Sequence, residues 1–307
     1  MLTLAVPPDF DLPRAVCSYG FFMLAPNRWD SANQELHTVV HGETDRLIPV
    51  KVSSRLRRSN HHRGGLQITT PRVTRAEAAR IKYQLTRILR IDENLAPFHR
   101  VHRKAARAGF GRLYRSATLF EDIVKTMTCC NVTWSQTRRM NELLVEKVGK
   151  GGFPTPAQLA ACRPSRLQQQ CKLGYRAERI VRLGRDVCEG KVDLTRFEDE
   201  TLSTESLFEG LREIHGIGPY AAGNLCQLLG RYDRLAIDSE TYRHFREKHD
   251  VPTPKDAAGM RKLHDRIEKH YAKFAPYQFL AYWFELWGAY EDRFGTASVW
   301  DENMSEA

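Results

Sequence analysis

The period of the hydrophobic pattern changes near residue 73, and this change constrains the fold more than any other feature of the sequence. Before it, four short segments rich in β-forming residues alternate partly and are separated by turn residues, which predicts a small antiparallel sheet. After it, apolar residues recur at helical spacing. We therefore expect a mainly α chain with an N-terminal antiparallel β-sheet (α+β), with a β-rich domain over 1–72 and a helical body over 73–300. The four strand segments are 16–24, 35–40, 47–52 and 65–70.

The helical body has a clear start signal. Thr74 can cap a helix, and Glu77 stands three residues later, as in a capping box. Ile81, Leu85 and Leu89 follow at helical spacing. Further helices are predicted wherever this period returns between Gly, Pro and Ser breaks. They cover 92–108, 117–130, 134–148, 175–189, 203–214, 219–230, 238–248, 255–272 and 277–292.

Composition excludes several classes of protein. The apolar peak Phe279–Trp287 contains Glu285 and is far shorter than the roughly 20 apolar residues of a membrane helix. The first residues show no basic stretch followed by an apolar one, so we expect no signal peptide. The seven cysteines are odd in number and dispersed, and none follows Cys226, so neither disulfides nor a C-terminal iron–sulfur loop is expected. An intracellular location follows as the expectation.

Charge indicates a polyanionic partner. The chain of 307 residues carries a formal net charge of +10. A basic surface concentrates phosphate polyanions, and this attraction usually dominates non-specific DNA binding. Charge alone leaves other partners equally open. The basic run 55–63 (RLRRSNHHR) is consistent both with a solvated hairpin tip and with a phosphate contact.

The most informative segment is 207–245, in which two predicted helices flank the turn His215-Gly216-Ile217-Gly218-Pro219. The glycines permit a tight turn with bare backbone, so that amide N–H groups can point outward at the start of the second helix. Such amides, together with the positive end of the helix, hold an anion such as a DNA phosphate. A lone G-x-G between helices is a weak signal, because many helical hairpins need glycine.

The surroundings of this turn make it specific. It is preceded by L-x-x-I-x-G-I-G-P, followed by A-x-x-N-L, and Asp238 stands twenty positions after Gly218. The segment resembles the helix-hairpin-helix (about 205–230) plus Gly/Pro…Asp signature of the HhH-GPD superfamily of base-excision DNA glycosylases. Residues 119–149 and 173–177 resemble the helical body of its 8-oxoguanine and 3-methyladenine branch, which also carries an N-terminal sheet. The resemblance implies a helix-hairpin-helix glycosylase fold.

The resemblance implies that Asp238 is the catalytic carboxylate. Cleavage of an N-glycosidic bond builds positive charge on the deoxyribose, and a carboxylate near C1′ stabilises that charge and helps to activate water. The alternative is that Asp238 only caps the helix that begins at Ser239, although capping and catalysis are compatible.

Tyr220 separates two mechanisms. Bifunctional members carry, two residues after the second glycine, a lysine that forms a Schiff base, and tyrosine cannot do so. The chain therefore resembles the monofunctional members, with Tyr220 lining the pocket or, alternatively, serving only as a packing aromatic.

Base flipping requires side chains that fill the gap in the stack. By resemblance, Asn131 is the wedge, and Tyr175 and Arg176 intrude beside the unpaired partner base. The alternatives are a helix-end cap for Asn131, and a helix start with a surface salt bridge for the other two. Gln136 stands where 8-oxoguanine enzymes carry a second arginine that reads the opposite cytosine, which disfavours that specificity.

The aromatic run 274–287 supplies a candidate base-stacking wall, because alkylpurine glycosylases bind electron-poor bases against aromatic faces. Most of these aromatics are expected in the core, with Tyr282 and Trp283 facing the pocket. An alkylated purine is the first expectation for the substrate and an oxidised purine the second.

The remaining expectations concern partners and cofactors. We expect a monomer that acts on double-stranded DNA containing a damaged base, with no membrane partner, in the nucleoid of a bacterial cell or the nucleus of a eukaryotic one. No metal ligand set is evident, and the only cofactor that the resemblance implies is a monovalent cation at the hairpin. Two alternatives stay open, a bifunctional lyase with a lysine elsewhere and a non-catalytic helix-hairpin-helix DNA-binding protein.

Overall fold

In the described residues, the N-terminal part of the protein contains an antiparallel sheet of five strands in the order β1-β5-β4-β3-β2. The computed structural model describes residues 1–54 and 64–300, so the basic run 55–63 lies outside the described residues. Buried and half-buried side chains alternate along β3, because one face of the sheet packs on the core. The strands are β1 (Leu2–Ala5), β2 (Arg28–Asp30), β3 (Glu35–His41), β4 (Leu47–Ser54) and β5 (Gly65–Thr69).

The prediction of a strand over residues 16–24 is wrong. This segment contains the end of helix α1 (Leu12–Val16) and a 3₁₀-helix, Gly20–Met23. Asp11 caps α1 by accepting a hydrogen bond from the amide of Arg14 at 3.0 Å. The segment is buried on nearly all sides and therefore lacks the alternation that separates a strand from a helix. The strands β1 and β2, which the pattern did not predict, form the two edges of the sheet instead.

The helical body begins at α2, and Thr74 and Glu77 form the predicted capping box. The predicted helix 92–108 is broken in two at His102, whose imidazole accepts the amide of Ala105 and starts a new helix. The short helices α7 and α8 were not predicted. The helices are α2 (Arg75–Leu89), α3 (Ala96–Val101), α4 (Arg103–Ala108), α5 (Leu119–Cys129), α6 (Trp134–Lys147), α7 (Pro156–Ala160), α8 (Pro164–Cys171), α9 (Arg176–Cys188), α10 (Thr204–Arg212), α11 (Pro219–Leu228), α12 (Ser239–Lys248), α13 (Ala257–Tyr271) and α14 (Gln278–Phe294).

Sheet and helices share one core. Buried apolar side chains form a single cluster that runs from the strands into α2, α5, α11 and α14. Polar contacts reinforce the junction, since the Arg46 guanidinium, between β3 and β4, lies 3.0 Å from both carboxylate oxygens of Glu77 on α2. None of the helices in the described part of the chain combines the length and apolar character of a membrane span.

Two buried arginines hold the hairpin helix α11 at its carboxyl end. Arg90 and Arg115 both donate to the carbonyl oxygen of Leu228, in the last turn of α11, the latter at 3.0 Å. Cations at this end complement the helix dipole and satisfy carbonyls that have no partner within the helix. The opposite, amino end of α11 is thereby presented to the candidate site.

Candidate active site

A cavity of about 900 Å³ opens between the hairpin, the segment around Tyr19 and α14. Asp238, Tyr220, Tyr282 and Trp283 line it together, although they come from three separate stretches of the sequence. A volume of this size accommodates a flipped nucleotide, since ligand cavities span about 300–1,000 Å³. The predicted catalytic and pocket residues therefore meet at one site.

Asp238 is held rigidly at the edge of this cavity. It is the N-cap of α12, and its Oδ1 accepts the backbone amide of Thr241 at 2.8 Å. The hydroxyl of Thr241 lies 2.9 Å from the same Oδ1. The carboxylate is half-buried and lines the cavity. The helix cap that the sequence offered as an alternative is therefore present, and it fixes one oxygen of the carboxylate at the cavity edge.

Tyr282 supports this arrangement from α14. Its hydroxyl lies 3.0 Å from the hydroxyl of Thr241. A carboxylate can only accept, so Thr241 gives its single proton to Asp238, and Tyr282 then donates to Thr241. Burial, together with the nearby charge of Asp238, raises the pKa of Tyr282 well above its ordinary value, so the phenol keeps the proton that this chain of hydrogen bonds needs.

The hairpin turn takes the geometry that the two glycines predict. Gly216 has a φ of +91°, and Gly218 is the extended N-cap of α11, with Pro219 at the first helical position. A Cβ at Gly218 would meet nothing within 4 Å, whereas one at Gly216 would lie 2.5 Å from Cδ of Arg179. His215 is exposed immediately before the turn. The amides at the start of α11 receive no side-chain cap and are open toward the cavity mouth.

Tyr220 lies in the first turn of α11 and faces the cavity. Burial and the charge of Asp238 raise its pKa far above the ordinary value, so it is neutral. Asn224 stands one turn further along the same helix face and lines the same cavity. The Oδ1 of Asn224 in turn accepts the hydroxyl of Tyr19 at 2.5 Å. A side-chain amide on the hairpin helix thus binds a tyrosine from the N-terminal segment.

An aromatic wall forms one side of the cavity. The indole of Trp283 stacks on Phe279 and on Trp287, with ring centroids 5.7 and 5.5 Å apart, and Tyr19 lies against it at 4.9 Å. The indole N–H donates to the carbonyl of Ser18 at 2.8 Å, which fixes the ring plane. The wall is therefore a preformed apolar face onto which a flat ring can stack.

Asn131, Tyr175 and Arg176 meet at the rim. Asn131 is exposed in the left-handed region, with a φ of 55°, and its amide nitrogen lies 3.4 Å from the hydroxyl of the exposed Tyr175. Arg176 is buried and donates to the carbonyls of Cys130 and Asn131. Its guanidinium braces the turn that presents Asn131, which is a different arrangement from the surface salt bridge weighed as the alternative.

Gln136 lies outside the cavity wall. Its side-chain oxygen accepts a hydrogen bond from the backbone amide of Thr133 at 3.1 Å. The backbone amide of Gln136 donates to the Thr133 hydroxyl at 3.3 Å, which completes a capping box for α6. The side chain is exposed at the start of the helix, close in sequence to the Asn131 turn.

Several cavity residues were not predicted from the sequence. Asn224 had a usable signal, because it stands four residues after Tyr220 and so shares a helix face with it. Tyr19 and Trp134 had no such signal in the sequence, because their positions at the cavity depend on how the N-terminal segment packs against α6. The indole of Trp134 packs on Gly20, where a Cβ would lie 2.9 Å from it. Trp287 belongs to the aromatic run but was assigned to the core.

Within residues 1–54 and 64–300, two side-chain groups have the composition of a metal site. In the first, ligand atoms of His249, His270 and Glu285 lie within 4.8 Å of one another. Glu285 already accepts the hydroxyl of Tyr271 at 2.7 Å and lies 3.2 Å from Nε2 of His244. We interpret this group as a polar network that joins α12, α13 and α14. The second group, near the edge of the sheet, consists of Asp30, Glu35 and His37.

Sequence comparison and structure comparison give different results. No protein-family model and no curated protein sequence matches the chain. The fold, by contrast, is shared with solved structures. A 3-methyladenine DNA glycosylase from Archaeoglobus fulgidus matches with a TM-score of 0.65 at 18% identity, covering 96% of this chain and 99% of that one.

Two DNA complexes show the same likeness. The Clostridium acetobutylicum 8-oxoguanine glycosylase/lyase, bound to duplex DNA with cytosine opposite 8-oxoguanine, matches with a TM-score of 0.64 at 14% identity over 93% of both chains. MBOgg1, bound to a low-affinity DNA ligand, matches with a TM-score of 0.64 at 17% identity over 95% of this chain and 94% of that one. The chain therefore has the helix-hairpin-helix fold of the 8-oxoguanine and 3-methyladenine DNA glycosylases.

Proposed function

We propose that the protein is a monofunctional DNA glycosylase that hydrolyses the N-glycosidic bond of an alkylated purine in duplex DNA. The observation that carries this proposal is the half-buried carboxylate of Asp238, fixed by Thr241 at the edge of a 900 Å³ aromatic-walled cavity beside the hairpin. The neighbours of the same fold are DNA glycosylases, two of them in complexes with DNA.

The carboxylate supplies electrostatic stabilisation. As the bond to the base breaks, positive charge develops on the deoxyribose, and a preoriented carboxylate stabilises that charge without reorganising. Oδ1 of Asp238 is engaged by Thr241, which leaves Oδ2 available to the sugar and to the attacking water. Water adds its oxygen to C1′ and loses a proton, while the base leaves with the bonding electron pair.

The aromatic wall favours a cationic base. A purine alkylated at N3 or N7 carries positive charge in its ring, and the faces of Trp283 and Trp287 attract a cation more strongly than a neutral ring. Such a base is also a good leaving group, because it departs neutral. An oxidised purine is the second candidate, and it is disfavoured because Gln136, used in a helix cap, replaces the arginine expected of a cytosine reader.

Hydrolysis rather than lyase chemistry is supported by the composition of the cavity. None of the cavity-lining residues in the described parts of the chain is a lysine. Lys125, on α5, is fully buried, and its ammonium group pairs with Glu121 at 2.7 Å. A Schiff base needs an unprotonated amine that reaches C1′, and among the described residues no lysine lines the cavity.

The decisive experiment is a panel of duplexes, each with one modified base, followed by alkali to cut the abasic sites formed. We expect base release from a duplex with a cationic alkylated purine such as 7-methylguanine, and little from undamaged DNA. Preferred release of 8-oxoguanine would show that the substrate is an oxidised purine and not an alkylated one. Tight duplex binding without any base release would favour a non-catalytic DNA-binding protein and overturn the proposal.

A further inference from the structure

Arg179 lies between the two parts of the site that face DNA. It stands on α9, one turn after Arg176, and lines the same cavity as Gly216, Gly218 and Asp238. Arg179 lies beyond the segment 173–177 that carries the family resemblance, so no role was predicted for it. The structure brings its side chain to the gap between the hairpin and the rim residues Asn131 and Tyr175.

The ring of Tyr175 is contacted by two guanidinium groups. The central carbon of Arg176 lies 4.5 Å from the ring centroid, and that of Arg179 lies 4.7 Å away. Arg176 is 6% exposed and is committed to the carbonyls of Cys130 and Asn131. Arg179 is only half-buried and forms no ion pair or hydrogen bond within the described residues. Of the two cations, Arg179 therefore has donors free for a ligand.

The stem of Arg179 is fixed by the hairpin. A Cβ at Gly216 would lie 2.5 Å from its Cδ and 2.9 Å from its Cγ, so the methylene chain packs directly on the bare glycine backbone. The tyrosine ring restrains the guanidinium at the other end. A side chain restrained in this way loses less conformational entropy when it binds, which favours affinity.

We propose that Arg179 binds a DNA backbone phosphate at the cavity rim, and so links the hairpin to the Asn131–Tyr175 wedge. This assignment rests on the proposed function, since it takes DNA as the ligand. The planar guanidinium presents a fork of donors that matches two phosphate oxygens. Arg176 then acts as a positioning residue for the Asn131 turn. Arg179, which is more exposed, makes the phosphate contact.

The same helix provides a matched control. Arg182 is one turn further along α9 and is also partly exposed, but it pairs with Asp186 at 3.5 Å and lines a different pocket. Removal of Arg182 changes the net charge as much as removal of Arg179 does. Only Arg179 is expected to change the number of phosphate contacts.

The experiment measures duplex affinity across a salt series for Arg179→Ala, Arg179→Lys and Arg182→Ala. The probe is a duplex with one tetrahydrofuran abasic analogue, which the enzyme cannot cut, and thermal unfolding of each variant verifies the fold. We expect Arg179→Ala to weaken binding roughly tenfold and to reduce the slope of log affinity against log salt by about 0.9, the value of one phosphate. Arg179→Lys should keep the slope with weaker binding, and Arg182→Ala should match the wild type.

An unchanged slope and affinity in Arg179→Ala would overturn the assignment, as would an equal loss in Arg182→Ala. These results do not depend on base release. If the lesion panel shows no excision while the slope still falls in Arg179→Ala, the glycosylase proposal fails and the phosphate contact stands. If excision proceeds and the slope is unchanged in Arg179→Ala, the glycosylase proposal stands and the phosphate contact fails.

Discussion

The hydroxyl of Thr241 lies 2.9 Å from Oδ1 of Asp238, and the backbone amide of the same threonine lies 2.8 Å from that oxygen. Both contacts arise within the first turn of α12. A carboxylate that is held by two donors cannot rotate away from the cavity. The helix cap is therefore also the device that orients the proposed catalytic group.

Asp238→Asn should separate this cap from catalysis. Asparagine is as good an N-cap as aspartate, so the fold and duplex binding should be preserved. The charge that stabilises the developing positive sugar is lost, and we expect base release to fall by roughly 10²–10⁴-fold. Single-turnover excision and duplex affinity are measured side by side. Turnover within about tenfold of the wild type would remove Asp238 from the mechanism.

Tyr282→Phe should weaken catalysis without changing substrate binding. The variant removes the donor that orients the Thr241 hydroxyl toward Asp238, so we expect kcat to fall about threefold to tenfold with KM unchanged, consistent with the loss of one hydrogen bond. Tyr271→Phe is the control, because it removes a buried hydroxyl that bonds Glu285 outside the cavity wall. An equal loss of kcat in both variants would indicate a general structural effect.

The proposed hydrolytic mechanism predicts an intact abasic product. Tyr220 is neutral and cannot form an imine, so the lesion strand should stay uncut until alkali or an abasic endonuclease is added. Borohydride should trap no covalent complex at the rate of base release. Wild-type strand scission that keeps pace with base loss would contradict the mechanism and point to another nucleophile.

The hairpin glycines should respond differently to substitution. Gly218 is extended, and a Cβ there meets nothing, so Gly218→Leu should fold normally but block the approach of a phosphate to the amides of α11. We expect duplex affinity to fall roughly tenfold whatever the lesion. Gly216→Ala should instead lower the melting temperature, because it places a Cβ at a φ of +91° and against Arg179. Normal duplex affinity in Gly218→Leu would argue against the hairpin as a phosphate site.

Stability should fall in acid because of the network around Glu285. Burial alone would raise the pKa of Glu285, but hydrogen bonds from His244 and Tyr271, with Lys248 nearby, outweigh it and lower the pKa to about 2. Burial also lowers the pKa of His249 and of His270 below their ordinary 6.5. In all three cases the unfolded chain binds more protons, so stability is full above the unfolded pKa and declines as pH falls below it.

The decline should begin below about pH 6.5, where the unfolded histidines protonate, and steepen below about pH 4.5, where unfolded glutamate does. Thermal melts between pH 8 and 4 measure it. The double variant His249→Asn/His270→Asn should flatten the first part of the curve, between pH 7 and 5.5. If that variant loses stability over this range as the wild type does, the histidines do not contribute to it.

Local features of the fold were predictable from the sequence. The Thr74–Glu77 capping box, the strand pairs of the central sheet and the two helices of the hairpin were all predicted, because caps, turns and periodicity depend on residues a few positions apart. The resemblance to the Gly/Pro…Asp signature also selected Asp238, which lines the cavity in the structure.

The site as a whole required the tertiary structure. Tyr19 reaches Asn224 across 205 residues of sequence, and no local pattern indicates such a contact. The apolar segment 16–24 shows no alternation that would identify it as a strand or a helix, because it is buried on nearly all sides. Arg176 and Arg179 look alike in sequence, and packing alone buries the first and leaves the second free at the rim. Long-range packing decides which side chains share a cavity, since burial and partners depend on how complete elements dock against one another.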